Sequence, residues 1–137
     1  MKANLTILSL CFTLLASCAS LQTKDPTKVL EEKILANWQA RTDKAWDKVY
    51  DFYCEDYKSK ISKVDFIRRA NVNIQSFHIG DVAFSEDKKE ASVPISYNAL
   101  MLGYKFSDIK ITENWRYEKN DWCLIYKRKT YKEIFEK

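Results

Sequence analysis

Glycine and proline are nearly missing from this 137-residue chain, with two of each, and histidine occurs once. So little glycine excludes a glycine-rich loop that cradles phosphate, because Gly80 and Gly103 stand far apart. It also excludes the low-complexity composition of linkers and disordered tails. One histidine, with no clustered Cys/His spacing, leaves no zinc or copper ligand set, so neither a metal nor another cofactor is expected. No charge of one sign dominates. The net charge is +4, and the balance does not nominate nucleic acid as a partner. A bilayer-spanning helix is missing too: the longest apolar run, residues 5–15, is broken by Thr6, Ser9 and Thr13 and falls short of the ~20 residues a span requires.

What that run does have is the proportions of an export signal. Lys2 supplies the positive start, the apolar stretch follows, and small residues lead into a cysteine: Leu15-Ala16-Ser17-Cys18. The tetrapeptide resembles the lipobox of bacterial lipoproteins. That resemblance implies cleavage before Cys18, diacylglyceryl transfer to its thiol and acylation, commonly with palmitate, of the new amine. Small residues let an extended backbone enter a peptidase cleft, and cysteine provides the nucleophilic thiolate. Two or three acyl chains anchor stably where one is marginal. Ala19 stands where the family's inner-membrane retention signal has aspartate, which implies an outer-membrane location facing the periplasm in a Gram-negative host. Residues 1–17 are thus read as signal, 18–25 as lipidated cysteine and tether, and 26–137 as one domain of the cell envelope. Loss of Lys2 takes lysine plus arginine from 23 to 22 against 19 acids, about +3.

The first half of that domain is helical in pattern. Asp25-Pro26 reads as an N-cap followed by proline at the first helical position. Leu30, Ile34 and Trp38 then mark one stripe on a helix over residues 27–40. Thr42-Asp43 offers a second cap. Beyond it Trp46, Val49, Tyr50, Tyr53 and Tyr57 fall at i, i+3, i+4, i+7 and i+11, a helical face. Ser62 and Asp65 form a variant capping box ahead of Phe66, Ile67 and Ala70.

The second half changes to period two. Phe77 and Ile79 alternate, Gly80 marks a bulge, and Val82 and Phe84 resume on the opposite parity. Ala91, Val93, Ile95, Tyr97 and Ala99 form the next run. Ile109, Ile111, Glu113, Trp115 and Tyr117 share one face of the following strand. Lys119-Asn120 makes a hairpin turn into Trp122, Leu124 and Tyr126. Helices followed by a meander of about four strands define an α+β fold, with helices packed on one face of an antiparallel sheet.

The tryptophan-bearing helix, the second helix with Tyr50-Asp51-Phe52, the capped helix with Phe66, and the Glu113-Asn114-Trp115 / Asp121-Trp122-Cys123-Leu124 hairpin resemble the NTF2-like superfamily. The likeness covers residues 27–127. It implies a curved, cone-like sheet with an internal cavity, and in the superfamily's enzymes an acid or histidine inside the cone as base.

Few residues here suit that role. His78 lies on the outward parity of its strand, as a solvent-facing or structurally bonded histidine. Glu113 sits among apolar residues, where burial raises a carboxyl pKa toward general acid–base use, and Tyr97 is its nearest orienter by parity. The other reading pairs Glu113 with a lysine or arginine, or places it at a sheet edge. With one ambiguous acid, the sequence favours a non-catalytic role. Trp38, Trp46, Tyr50, Phe66, Tyr97 and Trp115 are the candidates to line a cavity for an apolar ligand.

Cys54 and Cys123 remain after export, either as a disulfide or as two separately buried thiols. Lys127, Arg128, Lys129 and Lys132, with Tyr126 and Tyr131 interleaved, form a basic end. It reads as a solvated charge run or as a contact for anionic headgroups. Three functions are therefore expected to compete. One is a membrane-anchored binding module for an apolar small molecule or an envelope protein. The others are an isomerase- or hydrolase-type enzyme using Glu113, and a scaffold subunit of an envelope or secretion assembly. No oligomeric state is implied.

Overall fold

The computed structural model describes residues 25–127. The signal, Cys18, the tether up to residue 24 and the basic residues beyond Lys127 lie outside the described residues. Four helices precede five strands: α1 (Pro26–Thr42), α2 (Trp46–Asp51), α3 (Glu55–Lys58), α4 (Lys63–Arg69), β1 (Asn73–Ile79), β2 (Ala83–Phe84), β3 (Glu90–Met101), β4 (Tyr104–Glu118) and β5 (Asp121–Ile125). The sheet is antiparallel in the order β1-β3-β4-β5, and the two-residue β2 continues the β1 edge along β3. The architecture is α+β, with one short strand more than the four expected.

The helix starts follow their caps. Asp25 Oδ1 accepts the Thr27 N–H at 3.0 Å, and Pro26 occupies a position that needs no donor. Leu30, Ile34 and Trp38 then bury against the sheet at 1% exposure or less, as the four-residue spacing requires. The helix closes when Lys44 takes the left-handed conformation (φ 58°) and the Ala45 N–H returns to the Ala40 carbonyl. At α4, Ser62 accepts the Asp65 N–H at 3.1 Å, the expected cap.

The second helical face does not run unbroken from Trp46 to Tyr57. After Asp51 the chain leaves the helix and lays residues 52–54 along β5. The Leu124 N–H donates to the Phe52 carbonyl at 2.7 Å, and the Cys54 N–H donates to the Leu124 carbonyl at 3.0 Å. Two main-chain bonds to a sheet edge outweigh one more helical turn, and they cover part of an edge that would otherwise be open. The Cys54–Cys123 disulfide sits at the same junction, with Cα atoms 4.9 Å apart.

Bulges bend the sheet, one of them just after Ile79, as expected at Gly80. Pairing with β3 passes from Ile79 opposite Ile95 to Ala83 opposite Ser92, one residue extra on the edge, and the inward parity moves from Phe77 and Ile79 to Val82 and Phe84. Two more fall at Gln75 in β1 and at Asp108 in β4, where the pairing with β3 shifts register. Asp108 takes φ 53°, which a short polar side chain tolerates. Asn98 of β3 lies between them. Its side chain accepts the Asp108 N–H at 2.9 Å and donates to Ser76 Oγ at 2.8 Å. Two bulges at one level on either side of β3 increase local twist and curl the sheet there. Gly80 also allows a close approach. Its N–H donates to the Pro94 carbonyl at 2.8 Å, and a Cβ there would lie 2.7 Å from Pro94 Cγ.

The β3–β4 and β4–β5 hairpins turn through two left-handed residues, Leu102-Gly103 and Lys119-Asn120, as tight primed turns require. Inside the curl the core joins α1 and Val49 of α2 to Ile74, Val93, Ile95, Trp115, Trp122 and Leu124. Trp122 fastens the start of α1 by donating its indole N–H to the Pro26 carbonyl at 3.0 Å.

Because the disulfide closes a loop with a sequence separation of 69 residues, its loss is expected to lower the unfolding free energy by about 4 kcal/mol. Urea titration of the oxidised chain against the Cys54→Ser/Cys123→Ser double variant checks this, and coincident midpoints would refute it.

Candidate functional site

Between the helices and the inner face of the bent sheet lies a cavity of about 310 Å³. Trp38 and Arg41 come from α1, Trp46 from α2, and Tyr53 and Tyr57 from the segment that leaves α2 and forms α3. Phe66 and Arg69 come from α4, Tyr97 and Ile111 from the sheet, and Tyr126 from just beyond β5. A wider outer space of about 470 Å³ shares Tyr57, Ile61, Arg69 and Tyr126 with it, so these four residues form the neck.

Two groups of packed rings make up most of the walls. Trp38 packs against Tyr97 at 5.1 Å and Phe77 at 5.8 Å between ring centroids. Tyr53 meets Tyr57 at 4.6 Å and Phe66 at 5.6 Å, and Tyr57 stacks on Tyr126 at 4.4 Å. Burial raises the Tyr53 and Tyr97 phenols, and it raises Tyr57 to about 12 with the neighbouring tyrosines adding to the effect. All three hydroxyls are therefore neutral donors near neutral pH.

Behind this wall sits a polar network. The Arg41 guanidinium lies over the Trp38 ring at 5.1 Å, donates to Tyr53 Oη and to Glu113 Oε1 at 3.4 Å each, and reaches Asn37 Oδ1 at 3.4 Å. Asn37 Nδ2 donates to the same Glu113 oxygen at 3.5 Å. These contacts are longer than the roughly 2.7–2.9 Å of a tight charge-assisted bond. Several loose contacts therefore share one buried carboxyl. The second oxygen, Glu113 Oε2, has no partner, and neither do the indole nitrogens of Trp38 and Trp115. Burial raises the carboxyl pKa, and Arg41, the two indoles and Asn37 oppose that rise without cancelling it.

The structure brings some of the expected site residues together and separates others. Trp38, Trp46, Phe66 and Tyr97 line the cavity. Tyr50 does not: its hydroxyl donates to the Ile61 carbonyl at 2.8 Å and ties down the loop before α4. Trp115 is wholly buried, edge-on to Phe52, in the core rather than the wall. Glu113 is 6% exposed and paired with Arg41, and it lies behind the cavity. Tyr97 is not its orienter, since Val93 stands opposite Glu113 and Tyr97 stands opposite Ile109, four residues along β3. His78 is exposed and lines a shallow groove with Ser96 and Lys110 on the outer face of the sheet. Cys54, Glu118 and Cys123 cluster with ligand atoms within 4.8 Å of one another, but the disulfide occupies both sulfurs.

Sequence reasoning missed Arg41 and Arg69. Each follows an aromatic wall residue by three positions on the same helix, Trp38 and Phe66 respectively. Residues three apart share a face, so both arginines were bound to turn toward whatever those rings line.

No protein-family model matches the chain, and no curated protein matches it in sequence.

Burial raises the Glu113 carboxyl above its ordinary 4.5, with Arg41 the chief opposing influence. A carboxyl that binds its proton more tightly when folded contributes stability fully below its unfolded pKa. That contribution is lost as pH rises through the folded value. A Glu113→Gln variant has no such titration. Its melting temperature, relative to the parent chain, is therefore expected to improve from about pH 4 to about pH 8. A difference that does not change with pH would show that the carboxyl titrates alike in both states.

Proposed function

We propose that this chain is a membrane-anchored lipoprotein of the cell envelope whose domain has the NTF2-like cone arrangement and binds an apolar small molecule without transforming it. The observation that carries this reading is the aromatic cavity. Its volume stands at the lower end of the roughly 300–1,000 Å³ range of small-molecule sites, and its walls are mostly rings with a few polar groups. Four helices ahead of a bent antiparallel sheet, with the cavity between, support the cone assignment. The one buried acid among the described residues is engaged by an arginine and does not face the cavity, which supports binding over catalysis.

Anchoring rests on the Leu15-Ala16-Ser17-Cys18 sequence. No helix among the described residues is long and apolar enough to cross a membrane. A Cys18→Ala variant expressed in the producing cell is expected to leave the detergent-soluble membrane fraction or to persist as an uncleaved precursor. Processing and membrane retention identical to the parent chain would defeat the lipidation reading.

Ligand binding is expected to show as quenching of Trp38 and Trp46 fluorescence by an uncharged apolar probe such as N-phenylnaphthylamine. A Tyr97→Ala variant should change the affinity. A second reading, docking to an envelope protein, is favoured by the β3–β4 hairpin, where Leu102 is 88% exposed and Tyr104 72%. Failure of the cavity to take up any apolar probe would shift the function to that hairpin.

A further inference from the structure

We propose that the ligand is a single-chain amphiphile with an anionic head, a carboxylate or a phosphate, whose apolar body fills the cavity while its head rests against Arg69 in the neck. The proposal rests on the apolar-cavity reading above and adds the charge and the direction of the ligand. No acidic side chain lines the inner cavity, whereas two guanidiniums do. Arg41 is already engaged by Glu113. Arg69 differs: among the described residues no carboxylate lies within ion-pair distance of it. The acids nearby have other partners, since Asp65 pairs with Arg68 and Asp56 with Arg116 at 3.7 Å.

A cation at the last turn of α4 also complements the helix C-terminus, but Arg68 supplies one as well, and only Arg69 lies in the neck. Around it stand the neutral hydroxyl of Tyr57, raised to about 12, and, on the outer wall, the ammonium of Lys60 and the Asp56 carboxylate, the last drawn to Arg116. Farther in, the lining is mostly apolar, with Trp38, Phe66 and Tyr97, and the one charge there, Arg41, is taken by Glu113. The polarity therefore runs one way, with the apolar end inside and the anionic end at the neck. The inner volume admits one slender chain, and a two-chain lipid exceeds it.

Three probes of equal chain length test this below their micelle concentrations: decanoate, decyl phosphate and decanol, titrated into the full chain by tryptophan quenching and calorimetry. At least one of the two anions is expected to bind about tenfold tighter than decanol, the gain of one charge-assisted contact. Raising the salt should erode that preference without weakening decanol. Arg69→Gln, an exposed position, should leave the melting temperature unchanged and bring all three probes to similar affinities. Which anion binds tighter decides between a carboxylate and a phosphate head. Equal binding of anions and decanol by the parent chain would overturn the head-group assignment while leaving the cavity reading intact, and so would a preference that survives Arg69→Gln. Binding of none of the three would overturn both.

Discussion

The structure is organised around a single buried carboxyl. Glu113 projects from β4 into the space between sheet and α1, and the fold has to answer it there. Arg41 and Asn37 reach it from α1, and the indoles of Trp38 and Trp115 close around it. Removing a carboxylate from water costs several kcal/mol unless charge and hydrogen bonds compensate, and a buried ion pair is weak evidence for net stability. Its value is geometric. Only one rotation and one translation of α1 over the sheet put Asn37 and Arg41 on that oxygen while Leu30, Ile34 and Trp38 remain in the core. The same placement lays the Arg41 guanidinium across Trp38 and within reach of Tyr53 Oη. The wall of the cavity is thus set by the group behind it.

Two departures from regular structure make room for the cavity. The bulges at Gln75 and Asp108 curl the sheet away from a flat packing surface, and Asn98 fixes both. The break after Asp51 sends residues 52–54 to the β5 edge instead of continuing a helix. A straight helix through Tyr57 would carry its tyrosines along one line. The break instead brings Tyr53 and Tyr57 against Phe66 and Tyr126, edge-on except where Tyr57 stacks on Tyr126. The disulfide at Cys54 and Cys123 fastens that junction covalently, where only two main-chain bonds hold it otherwise.

What could be read from the sequence was what depends on near neighbours. The stripe Leu30, Ile34, Trp38 and the alternation from Ala91 to Ala99 follow from the helical and strand periods, and they place the core as the structure has it. The Lys119-Asn120 turn was legible because two consecutive left-handed residues have few compositional solutions. The break after Asp51 was not, because its cause is the main chain of Leu124, far along the sequence. Gly80 was legible in part: a glycine in a strand signals a bulge or a close approach, the bulge was readable from the change of parity to Val82 and Phe84, and the close approach depends on the position of Pro94. In the site, aromatic residues advertise a lining but not which wall they join, so Trp115 and Tyr50 went to the core and the α4 loop. Arginines look like solvated charge until the faces they share with Trp38 and Phe66 are known to turn inward.

The place of the neck relative to the chain's entry point bears on how such a module would work. Pro26 is bonded to Trp122 at the start of β5, while Tyr126, part of the neck, follows its end. One five-residue strand separates them, about 15 Å. In the anchored reading, residues 18–25 span at most about 25 Å when extended, so the neck stays within a few nanometres of the membrane surface. The apolar hairpin at Leu102 lies at the other end of the 15-residue β4, on the order of 45 Å along the strand from the β4–β5 turn. In that reading the cavity stays near the lipid surface. A single-chain amphiphile leaving that surface would meet Arg69 and Lys60 at the neck before it met the aromatic interior, with no need for the domain to detach.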